Sequence, residues 1–443
     1  MLVNRLERGR YFDSVALMRV SQRISGLAGV EAAALMIGSP SNKALLREAG
    51  LLAPEGEGAT ANDLVIAVRG GGAEAAIEAA LRLLVDNTAP SSLPTARSLH
   101  GARELLPAAN LALISVPGEF AAQEARKALA RGLHVLIFSD NVPIEEEIAL
   151  KKLAAEKSLL VMGPDCGTAL IAGAPIAFAN VVPRGDVGIV SASGTGLQEV
   201  STLVARLGGG VSHGIGVGGR DLDERVGGLA TLAAIDALDR DAGTARIVLV
   251  SKPPSPRVAA RVRERLKASR KPSVVCFMGE STLRAAAETV MQKKLEWPDR
   301  PKIAKASGRV KGLYCGGTLC AEAAQIVGGR GEFMDLGGDE FTRGRPHPMI
   351  EPELRNEWLR KALADSSVGA ILVDVVLGFG SHEDPAGVLA REDLSRKPVI
   401  ASVTGTEGDP QRYSRQVATL KDAGVIVAPS NAHAAELAAS LVA

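Results

Sequence analysis

Two rhythms of apolar residues alternate along the chain. Short Val-, Ile- and Leu-rich runs are followed by stretches in which apolar positions recur every three or four residues, the pattern of strands feeding amphipathic helices. Near the N-terminus this predicts a strand at Asp13–Met18, a helix, a strand at Val30–Ile37, a helix from Ser41, a strand at Asp63–Val68 and an Ala- and Leu-rich helix, the order of βαβ units. Asn87–Pro94, with its Ser, Pro and Asn residues, reads as a linker. A second unit follows: strand Leu111–Val116, a helix to Ala130, strand His134–Phe138, a helix from Ile144, strand Leu159–Met162 and the turn Gly163-Pro164-Asp165-Cys166-Gly167.

From Arg184 onward the pattern becomes a repeat. Strand Val187–Val190 runs into Ser191-Ala192-Ser193-Gly194-Thr195-Gly196, and the next helix puts Leu197, Val200, Leu203, Val204 and Leu207 on one face. Val217-Gly218-Gly219-Arg220-Asp221 and strands Ile247–Val250 and Val274–Phe277 complete the first copy. In the second copy Gly312-Leu313-Tyr314 leads into Cys315-Gly316-Gly317-Thr318 and a helix carrying Leu319, Ile326 and Val327. Leu336-Gly337-Gly338-Asp339-Glu340 and strands Ala370–Val376 and Val399–Val403 follow. Two copies of one supersecondary plan explain this most simply. The fold expected is multidomain α/β: an N-terminal α/β domain (1–95), a Rossmann-like unit (96–183) and two tandem flavodoxin-like domains (184–306 and 307–443).

Composition narrows the function classes. The 443 residues carry 51 Lys and Arg against 50 Asp and Glu, so no long-range field favours nucleic acid or an anionic membrane. Aromatics at 3% are too sparse for base-stacking platforms. No apolar run reaches the roughly 18 residues of a membrane span, and the first ten residues lack the apolar core of a signal peptide; a cytoplasmic protein is expected. Cys315 and Cys320 have no second pair to complete a zinc site, so neither metal nor cofactor is expected, and the four cysteines read as reduced thiols.

A strand that turns sharply into a helix through Ser-Gly-Thr exposes the first backbone N–H groups of that helix. Glycine lets an anion approach them, and Ser or Thr either caps the helix or bonds the anion. The alternative is a capped helix without ligand. Two such loops at matched positions, packed about a pseudo-twofold axis, would aim two positive helix ends at one space suited to a phosphate dianion. The candidate anion-binding residues are therefore Ser193, Gly194, Thr195, Gly196, Gly218, Gly219, Arg220, Gly316, Gly317, Thr318, Gly337 and Gly338. Arg343 and Arg345 are candidate catalytic clamps for carboxylate or phosphate, with a solvated loop as the alternative. His347 is either a general base or oxyanion donor, or a loop-packing residue. An internal salt bridge is the alternative for Arg220 and Asp221.

Residues 110–305 resemble the α subunit of succinyl-CoA synthetase, through Leu113-Ile114-Ser115-Val116-Pro117, Met162-Gly163-Pro164-Asp165-Cys166, Gly188-Ile189-Val190-Ser191-Ala192-Ser193-Gly194-Thr195 and Gly216-Val217-Gly218-Gly219. Residues 310–443 are similar to the C-terminal domain of that enzyme's β subunit. With Tyr11-Phe12-Asp13-Ser14-Val15 and the run Phe341–Ile350, the whole chain looks like the FdrA family. In the synthetase the two glycine-loop helices grip a phosphohistidine, and Glu199 matches by position the glutamate that contacts it.

The departures from that pattern redirect the function. The segment where the synthetase carries its histidine reads Met278-Gly279-Glu280-Ser281-Thr282-Leu283-Arg284. The CoA-binding glycine loop has no counterpart beyond Gly70-Gly71-Gly72, and ATP-grasp sequence is absent. The FdrA resemblance implies instead a subunit of oxamate carbamoyltransferase, working with two other subunits in allantoin and purine nitrogen catabolism on carbamoyl phosphate and oxamate or oxalurate. An acyl-CoA ligase and a non-catalytic scaffold subunit are the alternatives.

Overall fold

A computed structural model describes residues 1–10, 12, 14–86, 96, 98–342 and 346–442. The predicted linker 87–94 lies outside these residues, and the described residues form four sheets. The first domain comprises β1 (Leu2–Glu7), α1 (Ser14–Ser25), β2 (Val30–Ile37), α2 (Pro40–Glu48), the one-turn α3 (Pro54–Glu57), β3 (Leu64–Gly70) and α4 (Ala73–Asp86). Two features of this domain differ from the sequence expectation. Residues 14–18, expected as part of a strand, open helix α1, because Leu17, Val20 and Ile24 fall on one helical face and all three are buried. The sheet is antiparallel in the order β1-β3-β2, with β1 unforeseen, and is not built of parallel βαβ units.

The second unit holds α5 (Leu99–Leu105), β4 (Leu111–Ile114), α6 (Gly118–Ala130), β5 (His134–Ile137), α7 (Ile144–Glu156) and β6 (Val161–Met162), with a parallel three-stranded sheet. A hairpin the sequence reading missed follows, β7 (Thr168–Ile171) and β8 (Ala174–Ala177), and it joins the next sheet through an antiparallel pairing. That sheet continues with β9 (Arg184–Ser191), α8 (Gly194–Arg206), β10 (Val211–Gly216), α9 (Leu229–Arg240), β11 (Arg246–Ser251), α10 (Pro256–Lys267), β12 (Ser273–Phe277) and α11 (Leu283–Met291).

The last domain contains β13 (Arg309–Tyr314), α12 (Gly317–Val327), β14 (Gly331–Asp335), the one-turn α13 (Asp339–Thr342), α14 (Glu353–Ala364), β15 (Val368–Val376), α15 (Pro385–Leu389), β16 (Val399–Thr404), α16 (Tyr413–Asp422), β17 (Ile426–Ala428) and α17 (Asn431–Leu441). Its parallel sheet runs β14-β13-β15-β16-β17, and the parallel part of the preceding sheet runs β10-β9-β11-β12. Both are the flavodoxin-like order, in which the chain leaves the first strand in one direction and later crosses to its other side.

One hydrophobic core joins these two domains. Leu197, Val200 and Leu203 of α8 and Ala286 and Val290 of α11 pack in the same cluster as Leu319 and Ala323 of α12 and Ala434 and Ala438 of α17. Arg206, at the end of α8, reinforces the seam by donating to the carbonyls of Pro429, Val403 and Gly405 and lying over the Tyr413 ring.

Candidate functional site

Each glycine loop leaves the first strand of its sheet at the switch point, where a crevice opens beyond the carboxyl ends of parallel strands. In the first loop Ala192 donates its N–H to the Val250 carbonyl, and Ser193 caps α8 by accepting from the Gly196 N–H at 2.9 Å. A side chain at Gly196 would place its Cβ 2.9 Å from both Ser193 Oγ and Val250 Cγ1, so the cap requires glycine there. The second loop has no side-chain cap. Its shape is imposed by Asp374, whose two carboxylate oxygens accept from the N–H groups of Cys315 and Gly316, each at 2.8 Å. Burial pushes the pKa of Asp374 up, opposed by Arg355, whose guanidinium stands 3.4 Å from the carboxylate.

The two loops touch. Ser193 Oγ and Thr318 Oγ1 are hydrogen-bonded at 2.6 Å. A Cβ on Gly316 would lie 2.9 Å from Thr195 Cγ2, so only glycine permits this approach. On the side of the first loop facing Asp165, Thr168 and Gly216 the free space is about 10 Å³, room for about one water. That space is smaller than a phosphate. The Asp335 carboxylate faces the second helix end: a Cβ on Gly317 would sit 2.5 Å from its Oδ2. Beside the first switch point, a cleft of about 580 Å³ is lined by Pro253, Pro254, Arg263, Phe277, Met278 and Glu280.

The structure thus brings Ser193 against Thr318 and Thr195 against Gly316, while Gly194 faces Thr168, Gly196 faces Ser193 and Val250, and Gly317 faces Asp335. Gly337 joins them, since a side chain there would collide with the Cys315 carbonyl, and Gly338 donates its N–H to the Asp335 carbonyl. Gly218, with φ of +87°, packs on the Gly163-Pro164 turn, and Gly219 beside it is exposed. Arg220 points elsewhere: it pairs with Glu147 at 3.0 Å and donates to the Val142 carbonyl, at the edge of a buried cluster in which Lys151 joins Glu147 to Asp221. That arrangement is a salt bridge, with Glu147 and not Asp221 as the partner of Arg220. Glu199 is turned into the domain seam. Arg343 and Arg345 lie outside the described residues. His347 has its Nδ1 occupied by the Met349 N–H, which leaves the proton on Nε2, 2.5 Å from where a Gly337 Cβ would sit. Burial lowers its pKa to about 4. A neutral imidazole in that tautomer donates and does not accept, so the general-base alternative for His347 is lost while a donor or packing role stands.

Four residues escaped the sequence reading. Asp374 stands alone as a charge in a wholly buried strand, a position that demands a partner, and Arg355 supplies it. Asp335 was hidden because a carboxylate runs against the logic of an anion loop. Lys252 is the first residue after β11 and makes no hydrogen bond or ion pair among the described residues. It is exposed, and its charge reaches the Cys320 thiol in the first turn of α12.

Residues 313–441 match the CoA-ligase family, and residues 1–97 match the family described as AllF, heavy metal-associated domain. With the two flavodoxin-like domains, this defines the class: a multidomain α/β protein of CoA-ligase-like fold. The chain is 42% identical to the uncharacterized protein YahF of Escherichia coli over 98% of its own length and 97% of that protein. It belongs to that FdrA/AllF-like family. The α 2 subunit of an ADP-forming succinate–CoA ligase from Archaeoglobus fulgidus is 28% identical over 32% of this chain and 50% of that subunit. A dinucleotide-forming acetyl-coenzyme A synthetase from Ca. Korarchaeum cryptofilum aligns over 75% of this chain and 82% of its own, at 17% identity and a TM-score of 0.32.

The metal in the name of the N-terminal family does not fit this chain. Residues 1–97 contain no cysteine and no histidine, which leaves only the thioethers of Met1, Met18 and Met36 as soft donors. Among the described residues no group of acidic, cysteine and histidine side chains could hold a metal ion. Nor is any helix among them long and apolar enough to cross a membrane.

Proposed function

We propose that this chain is a subunit of a carbamoyltransferase of allantoin and purine nitrogen breakdown, which acts with two other subunits and holds the phosphate of carbamoyl phosphate at the paired glycine loops. The contact between Ser193 and Thr318 carries the reading, because it joins two helix N-termini at one point. Opening of that contact exposes the N–H groups of Gly194, Thr195, Gly317 and Thr318 to one dianion, and Lys252, whose charge acts on Cys320 in the first turn of α12, is the cationic side chain assigned to the seat. In the reaction the oxamate amide nitrogen attacks the carbamoyl carbon, the bond from that carbon to the phosphate oxygen breaks, and the amide proton passes to a base. Stabilising the departing phosphate is the part assigned to this chain.

The turn after β12 supports transfer over ligation. Met278, Gly279, Glu280 and Ser281 close it directly into the Thr282 cap of α11, with no histidine to carry phosphate. Acyl-CoA ligation is the second reading, favoured by the CoA-ligase match over 313–441. The test mixes the purified chain, alone and with the two other subunits, with carbamoyl phosphate and oxamate, or with ATP, CoA and an organic acid. Oxalurate and phosphate formed by the assembled complex is the expected result. Acyl-CoA formation without oxalurate would replace this reading with the second.

A further inference from the structure

The helices that begin at the two glycine loops carry a glutamate at the same place. Glu199 is the sixth residue of α8, counted from Gly194, and Glu322 is the sixth of α12, counted from Gly317. Both are almost completely buried, and each reaches across the seam to the other domain. Glu199 accepts from the N–H of Asn431, the first residue of α17, at 3.1 Å, and from the Thr404 hydroxyl at 2.5 Å. Glu322 accepts from the N–H of Leu283, the first residue of α11, at 2.6 Å, and from the Asn431 side-chain amide at 2.8 Å.

In both target helices the serine or threonine cap serves the third residue, His433 in α17 and Ala285 in α11. The first N–H is left for the glutamate of the other domain. These are side-chain caps at helix N-termini, made reciprocally about the axis that relates the domains. They fix the axial positions of α8 and α12 against each other, and hence the meeting of Ser193 with Thr318.

We infer that Glu199 and Glu322 are positioning residues that set the separation of the two glycine loops, so that the anion seat keeps its shape only while both caps are made. This rests on the reading of the loops as an anion seat, but its mechanical content is independent of any ligand. Glu199→Met and Glu322→Met keep side-chain length while removing both acceptor oxygens, so that neither helix N–H keeps its cap.

The test is amide hydrogen exchange on the full chain without ligand, followed by titration of wild type and variants with inorganic phosphate. Exchange should rise at least tenfold at residues 193–196 and 316–319 in either variant, with β4 and β5 unchanged, and phosphate affinity should fall at least tenfold. Faster exchange confined to 283–286 in the Glu322 variant and 431–434 in the Glu199 variant would overturn the inference, as would unaltered phosphate affinity in variants whose wild-type parent binds. Wild type that fails to bind phosphate sinks the anion reading, while the exchange result still decides the coupling. Should a Met variant not fold, Thr404→Val removes one hydroxyl from Glu199 and should raise exchange in both loops at least threefold; no change there counts against the inference.

Discussion

Asp374→Ala removes the carboxylate that shapes the second glycine loop and leaves three groups stranded. The N–H groups of Cys315 and Gly316 lose their acceptors, and Arg355, only 1% exposed, keeps the Asp374 carbonyl but no counter-charge. Removing one partner of a buried ion pair costs about 3–5 kcal/mol, and two orphaned amides place this case toward the upper end. Arg355→Met should cost less, about 1–3 kcal/mol, since Asp374 retains both N–H donors and burial already favours its neutral form. In the double variant no unpaired charge remains, so its loss should fall short of the sum by about 1–3 kcal/mol. Urea unfolding followed by tryptophan fluorescence measures this in the right domain. Trp358 lies on α14 three residues from Arg355, and Trp297→Phe silences the chain's other tryptophan. A loss below about 1 kcal/mol for Asp374→Ala, or strict additivity in the double variant, would show that the pair does not hold the loop.

Three further outcomes follow from the same contacts. Burial raises the Glu322 carboxyl to about 7, so the folded state binds more protons than the unfolded one between about pH 4.5 and 7. Stability from this group is complete below about pH 4.5 and is lost as pH rises through 7, a swing on the order of 3 kcal/mol that Glu322→Gln should remove from the urea midpoints across that range. Lys252→Met should weaken phosphate binding at the paired loops about five- to tenfold with no change in melting temperature, while Lys252→Arg keeps most of it; equal affinity in all three proteins would exclude Lys252 from the seat. A protein truncated after residue 97 should retain no Cu(I) or Zn(II) against a weak chelator, and stoichiometric metal in mass spectrometry would contradict the donor argument.

Strands that are apolar throughout and helices with a sustained face were legible in the sequence. Val187–Val190, Ile247–Val250 and Val399–Val403 all lie within observed strands, and the face Leu197, Val200, Leu203, Val204 and Leu207 is buried as expected. Residues 14–18 misled because a six-residue window is too short to separate periods of 2 and 3.6; the decisive positions, Val20 and Ile24, lie beyond it. The hairpin β7–β8 was invisible since Thr168-Ala-Leu-Ile and Ala174-Pro-Ile-Ala are short, and what recruits them is the edge of β10, far along the chain. The glycine loops were located by their repeat, but not their direct contact, which depends on how two domains pack. Glu199 shows the limit most clearly: its place in the helix was read from a relative, whereas both its partners, Thr404 and Asn431, come from a domain 200 or so residues away.

The common core of α8, α11, α12 and α17 has a consequence for assembly. In the synthetase that this chain resembles, the counterparts of its last two domains belong to separate subunits, and their glycine loops meet only after two polypeptides associate. Here residues 292–308 connect the two halves covalently. A short tether gives its ends an effective concentration in the millimolar range, far above that of most proteins in a cell. Dilution, unequal synthesis of two subunits and exchange with foreign partners, all of which can separate two associated chains, cannot part these two domains.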